Sequence, residues 1–152
     1  MTGGRYHAAN ISTAAGVERL RRAKAEGLAV TCDPAPHYFA LNELAVGDYR
    51  TFAKVSPPLR SEADRQAIVR GLADGTIDLI ASDHAPQDQE SKRLPFAQAE
   101  PGIVGLETML ALTLELVERG ALSLIQALDK LTRRPADLLG LPYGRLKPGG
   151  AA

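Results

Sequence analysis

The chain holds 152 residues, with 18 Lys+Arg against 18 Asp+Glu and a formal net charge of zero. That length suits one domain with its own hydrophobic core, and 45% hydrophobic with 24% charged residues excludes a disordered chain. The neutral balance, without any Lys/Arg block, argues against nucleic acid as a partner. No apolar run approaches the ~18 residues of a membrane span and no secretory signal opens the chain, so no membrane role is expected and the compartment is cytoplasmic. Cys32 is the only cysteine, which rules out an internal disulfide, and with three scattered His it forms no Cys/His zinc cluster.

The elements alternate. Arg5–Ser12 is short, largely apolar and preceded by Gly3-Gly4, which predicts a strand. Ser12 or Thr13 caps a helix in which Val17, Leu20, Ala23 and Lys24 recur at helical spacing, and Gly27 ends it. Leu28–Asp33 predicts a second strand, β-branched at Val30 and Thr31 and ended by Pro34. After a loop with Pro57-Pro58, Ser61 to Asp64 is a near capping box with Asp in the usual Glu place. The helix it opens should bury Ala67, Ile68, Gly71 and Leu72, and Gly75 closes it. Ile77–Ala81 predicts a third strand, and Ser82–Pro86 turns out of it. A long polar connection, 84–102, follows, of a length that usually marks a lid or a disordered segment. A helix then carries the stripe Leu106, Met109, Leu110, Thr113, Leu116 and Val117 up to Gly120. Ser123 with Gln126 caps another, bearing Ile125, Leu128 and Leu131, and Pro135 begins a last short one through Leu139. One domain over 1–147 and a flexible tail over 148–152 complete the reading. Three strands alternating with helices imply parallel pairing through right-handed crossovers. A free-standing sheet of that kind has two open edges, which favours a homo-oligomer or pairing with further chain.

In α/β folds the chemistry gathers at the carboxyl ends of the strands, here Asn10–Thr13, Asp33–His37 and Ser82–His84. Asp83 is the best single candidate, since a carboxylate just past a buried strand can bind a divalent metal and carry a proton. It reads equally well as a turn-forming Asp ahead of Pro86. His37 and His84 read as possible ligands or as hydrogen-bonded loop residues, His7 as packed within its strand, and Cys32 as an inert buried thiol. The stretch Gly102–Leu106 precedes a helix, and its backbone N–H groups could hold a substrate carbonyl or carboxylate, although Glu107 disfavours phosphate. Lys92 and Arg93 read as solvated.

Taken in order, Ala8–Thr13, Ala35–His37, Lys54–Arg60, Asp74–Pro86 and Gly102–Thr108 together resemble the dihydroorotases of the amidohydrolase superfamily. Arg134–Leu141 and Gly144–Gly149 resemble the same family's C-terminal stretch. The resemblance implies a (β/α)8 barrel enzyme of pyrimidine biosynthesis, with one or two zinc ions. Such an enzyme interconverts carbamoyl-aspartate and dihydroorotate by metal-activated attack of water on a cyclic amide. A closed barrel needs ~250 residues. This chain therefore resembles the last three strand–helix units plus the C-terminal helices: α/β, the C-terminal part of a barrel. The family's His-x-His pair, its bridging Lys or Asp and one further His have no counterpart here.

By the same resemblance Asp83 is the metal-bound, proton-shuttling aspartate, and Pro101 and Gly102 are backbone substrate contacts. Asn10 takes the place of a zinc-ligating His, and an amide oxygen is the weaker ligand. Ser56 replaces a substrate-binding Asn and Gln87 a substrate-binding His, while Tyr38 follows His37 where the family has a second His. These departures imply weak or absent zinc and no turnover by the chain alone. They also support an alternative, a non-catalytic partner of aspartate carbamoyltransferase. A relative acting on a hydantoin is less favoured, because Pro57–Arg60 and Gly102–Glu107 match the dihydroorotase branch.

Overall fold

The computed structural model describes residues 3–150. Two strands, β1 (Tyr6–Ala8) and β2 (Val30–Cys32), pair in parallel with His7 opposite Thr31. The crossover between them is α1 (Ala14–Ala25). Of the two caps that the sequence leaves open, Thr13 is the one used, its Oγ1 accepting from Gly16 N–H at 3.1 Å. Gly27, at φ 75, supplies the left-handed turn that ends the helix.

A short helix that the sequence pattern does not predict, α2 (Pro36–Ala40), follows β2 directly, with Pro36 in its first turn. Pro36 was the available signal, since proline is pre-organised for the first helical position. Two 3-10 turns, Glu43–Val46 and Thr51–Ala53, lead to α3 (Glu62–Ala73). All four residues expected on its inner face, Ala67, Ile68, Gly71 and Leu72, are buried. Asp64 explains why the capping box departs from Glu. Its short side chain accepts from Ser61 Oγ at 2.7 Å and from the Ala14 N–H at 2.8 Å, joining the starts of α3 and α1.

The third strand is a correction. Residues 77–81 run alongside β2, with Asp78 N–H donating to Cys32 O at 3.1 Å and Ala81 N–H to Pro34 O at 3.2 Å, but they form no regular ladder. In that register the return bonds must come from the N–H groups of residues 34 and 36, and both are proline. Asp78 serves as the tie instead. Its carboxylate accepts from Cys32 N–H at 2.8 Å and from Lys24 Nζ at 2.6 and 2.7 Å.

Beyond the one-turn α4 (Gln89–Lys92) come α5 (Met109–Glu118), α6 (Leu124–Leu131) and α7 (Arg133–Leu139). The expected faces of two of them need correction. Helix α5 starts at Met109 rather than Leu106; on it Thr113 and Leu116 are buried, while Leu110, and Leu106 ahead of the helix, lie in the open. On α6, Ala127 and Lys130 face inward and Ile125 is 75% exposed. Two bonds fix that rotation: Lys130 Nζ donates to Ile77 O at 2.6 Å, and Ile80 N–H donates to Lys130 O at 3.1 Å. The start of α7 is Arg133 rather than Pro135. Of the expected tail, residues 151 and 152 lie outside the described residues, and Gly150 N–H closes a turn on Lys147 O. Among the described residues no helix is long and apolar enough to cross a membrane.

The main core joins Val17, Leu20, Cys32, Phe39, Ile68, Leu72, Ile77, Ile80 and Leu116. Gly71 lets α3 approach it closely, for a Cβ there would stand 3.0 Å from Ile77 Cδ1 and 3.1 Å from Val17 Cγ1. Overpacking costs about 1–3 kcal/mol and alanine's helix preference returns about 1. Gly71→Ala is therefore expected to lose about 1 kcal/mol net, as measured by urea unfolding.

Candidate active site

The parallel direction of β1, β2 and the 77–81 segment puts Asn10, His37 and Asp83 at one end of the sheet. Asn10 and Asp83 both hold left-handed backbone, at φ 57 and 44. Non-glycine residues take that conformation rarely and at a cost, and Asn and Asp tolerate it best.

Around Asn10 the organising group is Asp33, which the sequence marks only as part of a strand end. It is buried and accepts from His7 Nε2 at 2.6 Å and from Asn10 N–H at 3.1 Å, while its own carbonyl takes Ile11 N–H at 2.8 Å. His7 is thus tied at both nitrogens, with Nδ1 2.7 Å from Thr31 Oγ1. Cys32 is fully buried, and burial pushes its thiol up to about 11, which agrees with an inert side chain.

Asp83 stands at the turn leaving the 77–81 segment, with His37 Nε2 3.7 Å from its Oδ2. His37 is only 4% exposed, and burial pushes its pKa down to about 4 against the opposing pull of the Asp83 carboxylate. The ring is therefore neutral at pH 7. His84 acts on the backbone instead, its Nδ1 accepting from Gly105 N–H at 3.2 Å and Leu106 N–H at 3.1 Å. Of the two readings that the sequence leaves for His84, the hydrogen-bonded loop residue is the one observed.

The turn after Asp83 lies against the 101–106 loop. His84 and Ile103 form a parallel bridge, Ala85 N–H donates to Ile103 O at 3.0 Å, and Gln87 Nε2 donates to Pro101 O at 3.3 Å. The approach requires glycine twice. A Cβ on Gly102 (φ 141) would stand 2.4 Å from Ala85 O, and one on Gly105 would stand 2.2 Å from Ser82 O. Gly102 N–H donates to Lys54 O at 2.9 Å, and the exposed Ser56 follows Lys54 by two residues. The structure thus brings the turn after Asp83, with Gln87, against Pro101 and Gly102, and it ties Asn10 separately to Asp33. Of the 102–106 N–H groups, those of Gly102, Gly105 and Leu106 already have partners within the chain.

Lys92 is a further correction. It is 2% exposed, not solvated, and its Nζ donates to Thr51 O at 3.1 Å, Lys54 O at 3.4 Å and Glu100 O at 2.8 Å. Burial, and then the charge of Lys54, lower its pKa. Lys54 Nζ holds Phe96 O at 2.7 Å, Ala97 O at 3.2 Å and Ala99 O at 2.6 Å. The two ammonium groups together bond the carbonyls of Phe96, Ala97, Ala99 and Glu100, which ties the end of the long connection to a defined path. Lys92→Met is expected to cost about 1–2 kcal/mol. Amide hydrogen exchange should speed up over 93–102 while α3 keeps its protection.

Among the described residues no three His, Cys, Asp or Glu side chains converge as a metal site. Asp83 contributes one carboxylate and Asn10 only an amide, so these residues do not fit a zinc site by themselves.

The amidohydrolase family profile matches residues 7–152. The chain belongs to the amidohydrolase family. It is 51% identical over 152 residues to a dihydroorotase of Desulforapulum autotrophicum, covering 100% of this chain and 35% of that protein. With a dihydroorotase of Syntrophotalea carbinolica it shares 53% identity over 151 residues, covering 99% and 36%. Among solved structures it superposes on an L-hydantoinase from Arthrobacter aurescens with a TM-score of 0.92 at 31% identity, covering 99% of this chain and 35% of that one. A dihydropyrimidinase from Brevibacillus agri gives a TM-score of 0.92 at 26% identity with the same coverage. This amidohydrolase chain therefore spans about a third of the length of the relatives that it matches. The comparisons bear out the resemblance to dihydroorotases. They do not support the expected placement at the C-terminal end of a barrel.

Proposed function

We propose that this chain is the part of a dihydroorotase-type cyclic amidohydrolase that carries the proton-transferring carboxylate, Asp83, and one wall of the substrate site. The observation carrying this reading is the 51% identity with a dihydroorotase over the whole chain, against 26–31% with the hydantoinase and dihydropyrimidinase structures. The substrate is a small cyclic amide, dihydroorotate in one direction and carbamoyl-aspartate in the other, and the role belongs to pyrimidine biosynthesis.

In ring opening, the oxygen of water bonds to the amide carbon and the ring C–N bond breaks. Asp83 accepts a proton from the attacking water and returns it to the departing nitrogen, so it ends the cycle as it began. Its half-exposed carboxylate, with 28% of the side chain open, can reach a bound substrate. In this reading Gln87, Ser56 and the Pro101–Gly102 backbone orient the ring. Since the chain supplies at most Asp83 to a metal centre, it is proposed to be without turnover alone, and zinc binding by these residues to be weak.

The test is a chimera in which these residues replace the matching third of the Desulforapulum autotrophicum protein. Its kcat/KM should favour dihydroorotate over hydantoin by at least about tenfold, since substrate hydrogen-bonding groups separate the two rings. A preference for hydantoin would contradict the reading.

A second reading rests on Asn10, Ser56 and Gln87, which stand where the resemblance places a ligand and two substrate contacts. It makes the larger protein a non-catalytic partner of aspartate carbamoyltransferase. Co-sedimentation of the chimera with that enzyme, in the absence of turnover, would favour it.

A further inference from the structure

We propose that His37 is a positioning residue for Asp83, its Nε2–H holding one carboxylate oxygen from a seat that cannot shift. This rests on the reading of Asp83 as the proton carrier. Among the described residues, His37 Nε2 is the one buried side-chain nitrogen or oxygen without a hydrogen-bond partner. The polar atom that it faces is Asp83 Oδ2, at 3.7 Å. A carboxylate offers only acceptors, so the tautomer that suits this neighbour carries its proton on Nε2.

The two residues leave adjacent, hydrogen-bonded segments. His37 is the second residue of α2, a few residues beyond β2, and Asp83 follows the stretch whose Ala81 N–H donates to Pro34 O at 3.2 Å. The imidazole is immobilised by its surroundings. Pro36 precedes it in the first helical turn, the Tyr38 ring packs edge-on at 4.2 Å, and Tyr38 Oη is anchored to Pro57 O at 2.7 Å. Asp83 is the movable partner, half-exposed on a left-handed turn at φ 44. The separation exceeds a hydrogen bond by about half an ångström, and such catalytic contacts are commonly long without substrate and tighten with it. A small rotation of the Asp83 side chain closes the gap, fixes Oδ2 and leaves Oδ1 for the substrate side.

The test is long-range 1H–15N correlation spectroscopy on the 15N-labelled chain, which has three histidines to resolve. The expected pattern is an Nε2–H tautomer for His37 with an exchange-protected Nε2 proton. Asp83→Ala should shift that nitrogen and remove the protection, while His7, held by Thr31 and Asp33, keeps its signals. An Nδ1–H tautomer, or a His37 signal indifferent to Asp83→Ala, would overturn the proposal. If the His7 pattern is lost and the alanine variant has therefore unfolded, Asp83→Asn is read instead: a smaller shift in the same direction supports the proposal and none overturns it. Turnover plays no part in this readout. The spectroscopic pattern without activity in the chimera would sink the proposed function alone, and activity with an Nδ1–H His37 would sink the positioning role alone.

Discussion

Asp83→Asn in the chimera is expected to lower dihydroorotate turnover by about 10²–10⁴-fold, the usual contribution of a positioned acid–base group. The amide matches the carboxylate in size and cannot take up a proton at neutral pH. The left-handed turn at φ 44 should survive, because asparagine tolerates that backbone as well as aspartate does. KM should therefore change by no more than a few-fold, and circular dichroism should show an unchanged fold. Steady-state kinetics on both proteins checks this. A variant retaining more than a tenth of the turnover would remove Asp83 from the chemistry.

Asp33→Ala should be the costliest single change to stability at the site, about 3 kcal/mol, without touching Asp83. It strands two donors, the His7 imidazole and the Asn10 N–H, at a group only 4% exposed. Each unpaired donor in such a place costs about 1–3 kcal/mol. The measurement is the urea midpoint with an unchanged slope, which isolates stability from compactness. A midpoint shift worth less than about 1 kcal/mol would mean that water replaces Asp33 without penalty.

The local signals in the sequence carried much of the architecture. Thr13, Ser61 and Ser123 cap their helices as their residue types suggest, and the inner face of α3 is the one that its periodicity indicates. What escaped was set by distant partners. Ile77–Ala81 has the composition of a strand, but the donors that it needs lie at positions 34 and 36 of another segment, and both are proline. Lys130 turns inward and Ile125 outward because the Ile77 carbonyl and Ile80 N–H claim opposite ends of Lys130. Lys92 looks like a solvated charge until Thr51, Lys54 and Glu100 present it with carbonyls.

The site divides in the same way. Asp83 was legible from its place after an apolar segment and from the family's Asp-His-Ala-Pro pattern. Asp33 lacked any such signal, because its role depends on His7, 26 positions away. The neutral, unpartnered state of His37 depends on burial, which spacing does not reveal. The N–H groups of Gly102, Gly105 and Leu106 looked free because their partners, Lys54 O and His84 Nδ1, come from other turns of the chain.

Ring opening of dihydroorotate, followed side by side for the 152-residue chain and for the chimera that contains it, tests the central claim most directly. The account predicts turnover in the chimera and none above background in the chain alone, because Asp83 and its loop form one part of a site whose other groups the chain does not gather. Turnover by the isolated chain, or a folded chimera that leaves dihydroorotate intact, would contradict it.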